Sequence, residues 1–491
     1  MDNKNVFVAI ALSMSVLLFW GAFFDTPPPA VTNKDQTTIN PENKNIEQNQ
    51  ITPNINQEKI ITQISRKDSL VKDDRVNIDN NNISGSISLR GAIFDDISFK
   101  NYKKNLDNED IVVFLNPRET LDGYFIETGW TSVGDQVKVP TLESLWTVKG
   151  KKILSKNSSV VLEWNNGEGL IFRKIIELDE KFLFKINQEV VNSTKKNIDL
   201  YPYAQITRNK KPDDVQGFYI LHEGFIGVFD GELKEDSYGD IEDKKISRTA
   251  DNGWLGITDK YWVTAIVPPK NANFKSTFLY KDTYKANYIL NSPVKVNASS
   301  TSSNEVRLFV AAKEVNTIDS YAASEGIEKF DLTIDWGWFY FFTKPLFFVI
   351  DYLFKFSGNF GIAIVLVTLA IRIIFFPLAN YSFRSMAKMK ALQPEMVRLK
   401  EIHKEDKVKL QQEMMALYKK EKVNPVSGCL PIFIQIPFFF AIYKVLFVTL
   451  EMRHQPFYGW IKDLSERDPT SIFNLFGIIP WDPPSFLMIG V

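Results

Sequence analysis

Cysteine is almost absent from this chain: Cys429 is the only one in 491 residues. A single thiol excludes an intramolecular disulfide and any cysteine-rich zinc or redox motif. Histidine is scarce too, and His222, His403 and His454 lie too far apart in sequence to suggest a ligand cluster. No metal site or cofactor is expected. The chain also lacks a net charge bias, with 58 basic against 59 acidic residues, so attraction to nucleic acid or acidic surfaces has to be local. A Walker loop, a GxGxxG after a strand, GxSxG and HExxH are all missing. The common nucleotide, hydrolase and metalloprotease readings fall away, and no catalytic residue is assigned.

Long apolar runs are what the chain does have. Residues 5–24, "NVFVAIALSMSVLLFWGAFF", contain no charge in twenty positions, and that many helical residues span ~30 Å of hydrocarbon. A cleavable signal peptide would carry a shorter apolar core and a small-residue cleavage site. Residues 1–25 therefore read as an uncleaved anchor with its amino terminus in the cytoplasm. Residues 26–80 are rich in Pro, Asn, Gln, Thr and Lys, with too few apolar side chains to offset chain entropy, and read as a disordered tether.

From 81 to 332 the pattern changes to period two. Runs such as "SSVVLEWNNGEGLIFRKIIELDEKFLFKINQEVVN" and "EVRLFVAAKEV" are strands broken by Gly, Asn, Asp and Pro. Their number predicts a large antiparallel β-sandwich outside the membrane. A sugar-binding or sugar-modifying sandwich is the competing reading, although its carboxylates show no pairing that sequence identifies as an acid/base couple.

The remainder predicts a multi-span α-helical membrane part. Residues 333–358 mix Trp336, Trp338, Tyr340 and Tyr352 with Lys344, Pro345, Asp351 and Lys355, which suits an amphipathic helix lying at the membrane surface. Residues 359–381 and 425–450 are the second and third spans. Between them, 382–424 is expected to form a cytoplasmic helical hairpin: from 384 to 422 it carries eleven Lys or Arg against six Asp or Glu, which retains a loop inside. Met386, Met389, Met396, Leu399 and Ile402 make one apolar seam, and Leu410, Met414 and Leu417 another. "HKEDK", with Lys404 and Lys407, is the tip. Residues 451–484 return outside, and 485–491 begin a fourth span that is expected to be cut short.

One charge interrupts the second span, "VLVTLAIRIIFFP". Arg372 stands nine residues from Tyr381, about 13–14 Å along the axis, farther than its side chain reaches by snorkelling, and a charge at mid-bilayer costs roughly 2.5–3.5 kcal/mol on the lenient scale. Thr368, one turn earlier, offers a hydroxyl, and Pro377 frees the carbonyl of Ile373. Either the cation lines a wet cavity, or it is a structural residue that snorkels with local thinning of the bilayer or sits between helices. Gln435 in the third span has the same two readings, and Lys444 near its outer end is expected to snorkel outward.

The stretches "SMAKMKALQPEM", "QQEMMALYKKEKVNPVSGCLPIFIQIPFFFAIYKVLF" and "EMRHQPFYGWIKDLSERDP", with a weaker "GWLGITDKYWVTAIVP", resemble the YidC membrane protein insertase family in its Gram-negative form with a large periplasmic domain. The resemblance implies an insertase and chaperone of the inner membrane, not an enzyme. It implies a hydrophilic groove in which Arg372 is the family's core arginine and Thr368, Gln435, Ile436 and Phe439 line the substrate path. Nascent membrane proteins would be the substrates, with the Sec translocon, the ribosome and membrane lipids as partners. Met386, Met389, Lys404 and Lys407 are the candidates for cytoplasmic docking. Members of this form have five spans, so a truncated fourth and a missing fifth are a departure. A solute transporter would show inverted repeats among its spans, and none is visible.

Overall fold

The computed structural model describes residues 64–465, apart from 107–108, 134–136, 214, 216–220, 405, 422, 424–429 and 460. The expected anchor (1–25), the tether as far as residue 63, and the segments 466–484 and 485–491 lie outside the described residues.

Among the described residues, twenty strands form two sheets, one of eleven and one of nine. Alternation is why they form: Leu170–Leu178 buries Leu170, Phe172, Lys174, Ile176 and Leu178 on one side and leaves the residues between them at least partly exposed. The spine of the nine-stranded sheet pairs Leu183–Asn192 with Ser300–Ala312 in antiparallel register, from Leu183 opposite Phe309 to Asn192 opposite Ser300. The sheets meet face to face through Phe94 on Phe184 (5.3 Å) and Phe225 on Phe278 (5.1 Å), both near edge-to-face or tilted. Tyr124 and Thr264 share a hydrogen bond across the same layer. The expected antiparallel sandwich is present, with one parallel exception where Ile78 lies opposite Leu154.

The sandwich begins earlier than its polar composition suggests. Residues 64–80, which composition assigns to the tether, include helix α1 (Arg66–Lys72), capped by Ser65, and the strand Arg75–Asp79. Val76 and Ile78 are fully buried in that strand, and Arg75 and Arg66 pair with Asp95 and Asp96 of the strand Ile93–Lys103 in the same sheet. Five residues with two apolar positions are too short a run to read locally; the pairing with Ile83–Ser88 holds them.

Seven further helices follow among the described residues: α2 (Tyr238–Asp243), α3 (Val315–Ser324), α4 (Tyr340–Ser357), α5 (Phe360–Ala391), α6 (Gln393–Ile402), α7 (Lys407–Lys420) and α8 (Leu430–Val448). α4 is amphipathic as expected, burying Thr343, Phe347, Ile350 and Asp351 and exposing Phe341, Tyr352 and Phe356, with Trp338 exposed just ahead of it. Trp336 does not join that exposed set. It is a core residue, with Nε1 donating to the Asp331 carbonyl (3.2 Å) and its ring edge-on to Phe347. Lys344, in sequence a mere interruption of the apolar pattern, ties α4 to the sandwich base through Asp319 (2.9 Å) and Asp331 (2.7 Å).

The second expected span ends at 381, but α5 runs on to Ala391. Its 32 residues measure about 48 Å, well beyond the hydrocarbon thickness. Helical continuity past Pro377 is tolerated because proline removes one donor without removing its neighbours' bonds. The break comes instead at Leu392, just ahead of Pro394 in the first turn of α6.

Candidate functional site

α5 and α8 are each long and apolar enough to cross a membrane. They run antiparallel: the start of α5 meets the chain just beyond α8, where Asn359 donates to the Pro456 carbonyl (3.3 Å), while Phe375 touches Phe438 (5.1 Å) further along. Phe438 also packs on Phe342 (5.0 Å), so α4 completes the contact. Small ridges of phenylalanine therefore hold the three helices together, and they fix the height of every polar residue nearby.

That height matters for the predicted path. Arg372 precedes Phe375 by one turn and Gln435 precedes Phe438 by one turn, so on antiparallel helices the two lie on opposite sides of the contact, roughly 9 Å apart along the axis. Arg372, Ile436 and Phe439 are exposed on the helix surfaces, while Thr368 and Gln435 are half-buried. The Thr368 hydroxyl donates to the Ile364 carbonyl of its own helix (2.8 Å), so what it offers beyond the helix is its lone pairs. A substrate group meeting both Thr368 and Arg372 would have to donate to one and accept from the other.

The docking candidates are not brought to one place. Lys404 and Lys407 are exposed around the turn between α6 and α7, whereas Met386 and Met389 sit back on α5. α6 and α7 contact one another, with the Tyr418 hydroxyl 3.7 Å from the Met396 sulfur. Leu399, Leu410, Met414 and Leu417 share the half-buried seam; Ile402, expected there, is 60% exposed because α6 ends at that residue and its side chain leaves the packed face.

Sequence reasoning missed a junction between α8 and the sandwich. Lys444, expected to snorkel outward, does not end at a water surface: its ammonium lies buried 2.9 Å from the Asp335 carboxylate. The same carboxylate oxygen accepts from the His222 N–H (2.9 Å), and the other accepts from the Gly337 N–H (3.0 Å). Seven residues past Lys444, Glu451 accepts from the Val315 N–H at the start of α3 (2.8 Å). Burial, with Glu314 and Asp351 adding repulsion, pushes the Glu451 carboxyl up to about 7. Arg453 donates to the Lys103 and Lys104 carbonyls (2.8 and 3.0 Å) and lies over the Trp262 ring. Lys444 in an apolar run was the one local signal. Its partner, more than a hundred residues away, left none.

Elsewhere the sandwich buries Lys174, whose ammonium donates to the Thr128 carbonyl (2.7 Å) and sits 4.9 Å from the Trp146 ring centre. Burial pulls its pKa down to about 7. Among the described residues, no group of three or more His, Cys, Asp or Glu side chains is arranged to hold a metal.

Residues 75–349 match the family described as the YidC periplasmic domain, and residues 352–488 match the family described as 60Kd inner membrane protein. A protein of Pelagibacter ubique named membrane protein insertase YidC is 53% identical over 490 residues, covering all of this chain and 87% of that protein. Among solved structures, an active YidC insertase with its first transmembrane domain resolved is 18% identical over 82% of this chain and 77% of its own, with a TM-score of 0.28. A galactose mutarotase related enzyme from Lactobacillus acidophilus is 12% identical over 49% of this chain and 98% of its own, with a TM-score of 0.34. Structural likenesses at these scores carry no conclusion about chemistry.

Proposed function

Since the chain belongs to the YidC family of membrane protein insertases, we propose that it inserts nascent inner-membrane proteins along the face of α5 and α8 that carries Thr368, Arg372, Gln435, Ile436 and Phe439. The observation that carries this reading is Arg372: a permanent cation exposed on an apolar helix, in contact with no carboxylate among the described residues. A guanidinium in that position costs several kcal/mol in lipid. It is tolerable where water reaches it.

In this reading the polar tail of a substrate enters the wet face from the cytoplasm, and its acidic groups are drawn by Arg372, whose attraction is stronger beside low-dielectric walls than in bulk water. The apolar segment slides along Ile436 and Phe439 and partitions into lipid. No nucleotide step is involved: burial of the substrate's own span, assisted by the membrane potential on its charges, supplies the driving force. The sandwich is periplasmic, α4 lies at the outer membrane surface through Trp338, Tyr352 and Phe356, and the basic α6–α7 pair is cytoplasmic, with Lys404 and Lys407 facing the ribosome or anionic headgroups. Cooperation with the Sec translocon belongs to the same reading, as does chaperoning of folding after entry.

The test places a photocrosslinker at Thr368 or Gln435, and at Ile374 as a lipid-facing control, during translation of a single-span substrate in membranes. Adducts at the first two positions and few at Ile374 are expected. Equal labelling at all three, or adducts at Ile374 alone, removes the path from this face.

A further inference from the structure

We propose that Lys444 and Asp335 form a clamp through which the sandwich sets the height and rotation of α8, making Lys444 a positioning residue for the substrate path. The inference rests on the path assigned above, because Gln435, Ile436 and Phe439 all lie on the helix that Lys444 holds.

Three observations converge on it. First, the pair is enclosed: the Lys444 side chain is 3% exposed and that of Asp335 is 21% exposed, at 2.9 Å. Second, the carboxylate is held by groups other than the lysine, since the His222 N–H of the sandwich reaches one oxygen and the Gly337 N–H, two residues on, reaches the other. Gly337 leaves room for the lysine stem; at φ 71° it is left-handed, and a Cβ there would stand 3.2 Å from the Lys444 Cε. Third, Lys444 shares a helical stripe with Ala441, Val445 and Val448, all buried, whereas Ile436 and Phe439 lie off that stripe and are exposed.

Other contacts of α8 include aromatic pairs, such as Phe438 on Phe342 and Phe440 on Phe339, the buried Ala441, Val445 and Val448, and the Lys260 ammonium over the Phe447 ring (4.3 Å). The apolar surfaces among these tolerate sliding, because dispersion has little directional preference. An enclosed, hydrogen-bonded ion pair tolerates little, which is the specificity such pairs supply even when their net contribution to stability is small. One residue of slip moves every side chain on α8 by about 1.5 Å and turns it by about 100°. The exposed path residues would then face elsewhere.

The experiment uses the full chain in lipid, with Cys429→Ser and spin labels on Ile374→Cys of α5 and Ile432→Cys of α8, both exposed positions. Distances between labels are measured with Lys444 intact and with Lys444→Met, Lys444→Arg and Asp335→Asn, and insertion of a single-span substrate is measured in parallel. A single narrow distance peak is expected with the native pair. Lys444→Met should broaden or shift it, with the displaced population rising roughly tenfold, equivalent to about 1.4 kcal/mol, and insertion should fall in step. Lys444→Arg should restore much of both. Asp335→Asn should shift the same peak, which separates the pair from any folding defect peculiar to one variant, and combining it with Lys444→Met should add little. An unchanged peak in Lys444→Met and Asp335→Asn overturns the clamp, whatever happens to insertion. A displaced peak with intact insertion supports the clamp and overturns instead the assignment of the path to α8.

Discussion

Replacing Glu451 by Gln should stabilise the protein above pH 7 and destabilise it near pH 4.5. In the folded chain this carboxyl is raised from 4.5 to about 7, burial being the largest cause and repulsion from Glu314 and Asp351 adding to it. Between those two values the folded state binds more protons than the unfolded one, so stability falls as pH rises through the window and stays low above it. At about 1.4 kcal/mol for each pH unit that the window spans, ionising the buried carboxyl costs roughly 3–4 kcal/mol. The gain from removing the charge is smaller than that. Gln keeps an oxygen for the Val315 N–H, but its amide nitrogen replaces Oε2, which is buried without a hydrogen-bond partner among the described residues, and an unpaired amide costs about 1–3 kcal/mol. A net gain of roughly 1–2 kcal/mol at pH 8 is expected from the difference, and a loss of about 1–3 kcal/mol near pH 4.5, where the parent carboxyl is already neutral and the unpaired amide is the whole change. Thermal unfolding of the detergent-solubilised protein, followed by tryptophan fluorescence from about pH 4.5 to 8.5, measures it across the titration window. If the Gln variant shows the same pH profile as the parent, or is less stable at pH 8, Glu451 is not a strained acid and the account of this junction is wrong.

Two further outcomes follow from the same physics. Burial lowers the Lys174 pKa from 10.5 to about 7, so between those values the unfolded chain binds the extra proton and stability should rise with pH; Lys174→Met should abolish that slope, read by denaturant unfolding at about pH 7 and at about pH 9, both within the window. Arg372→Lys should preserve insertion if charge alone is required and fail if the guanidinium's planar donors are needed, whereas Arg372→Ala should lower the insertion rate at least roughly tenfold in either case, measured by protease protection of a single-span substrate.

How much of this molecule the sequence discloses depends on how local each feature is. The sandwich is legible because alternation is written residue by residue, as in Leu170–Leu178. α5 and α8 are legible because each is one long apolar run, and the α6–α7 seam because Met396, Leu399, Met414 and Leu417 recur at helical spacing. Trp336 is misread at the same local level: its neighbours Trp338 and Tyr340 are exposed at least in part, and only the tertiary contact with Phe347 shows that it belongs to the core. The strand Arg75–Asp79 hides for a different reason, being held by a partner strand and not by its own composition. Ion pairs between distant segments are the least legible of all. Asp335 and Lys444 each appear as an isolated charge in apolar surroundings, and no spacing rule connects them.

α5 and α8, each long and apolar enough to cross a membrane, each carry a basic residue within that apolar run, and the contrast between the two argues for what Arg372 does. Lys444 lies near the carboxy-terminal end of α8, and its charge is met by Asp335 at 2.9 Å inside the protein. The fold itself explains why it is there. Arg372 lies well inside α5, exposed, with Thr368 one turn away already bonded to the helix backbone and no carboxylate in contact among the described residues. Nothing in the local packing offsets its cost. A charge kept in such a position needs water, headgroup or a transient anionic ligand to satisfy it, and in an insertase family the ligand that comes and goes is the substrate. In the proposed function the two cations divide the work: one holds the helix, and the other is left open to what passes along it.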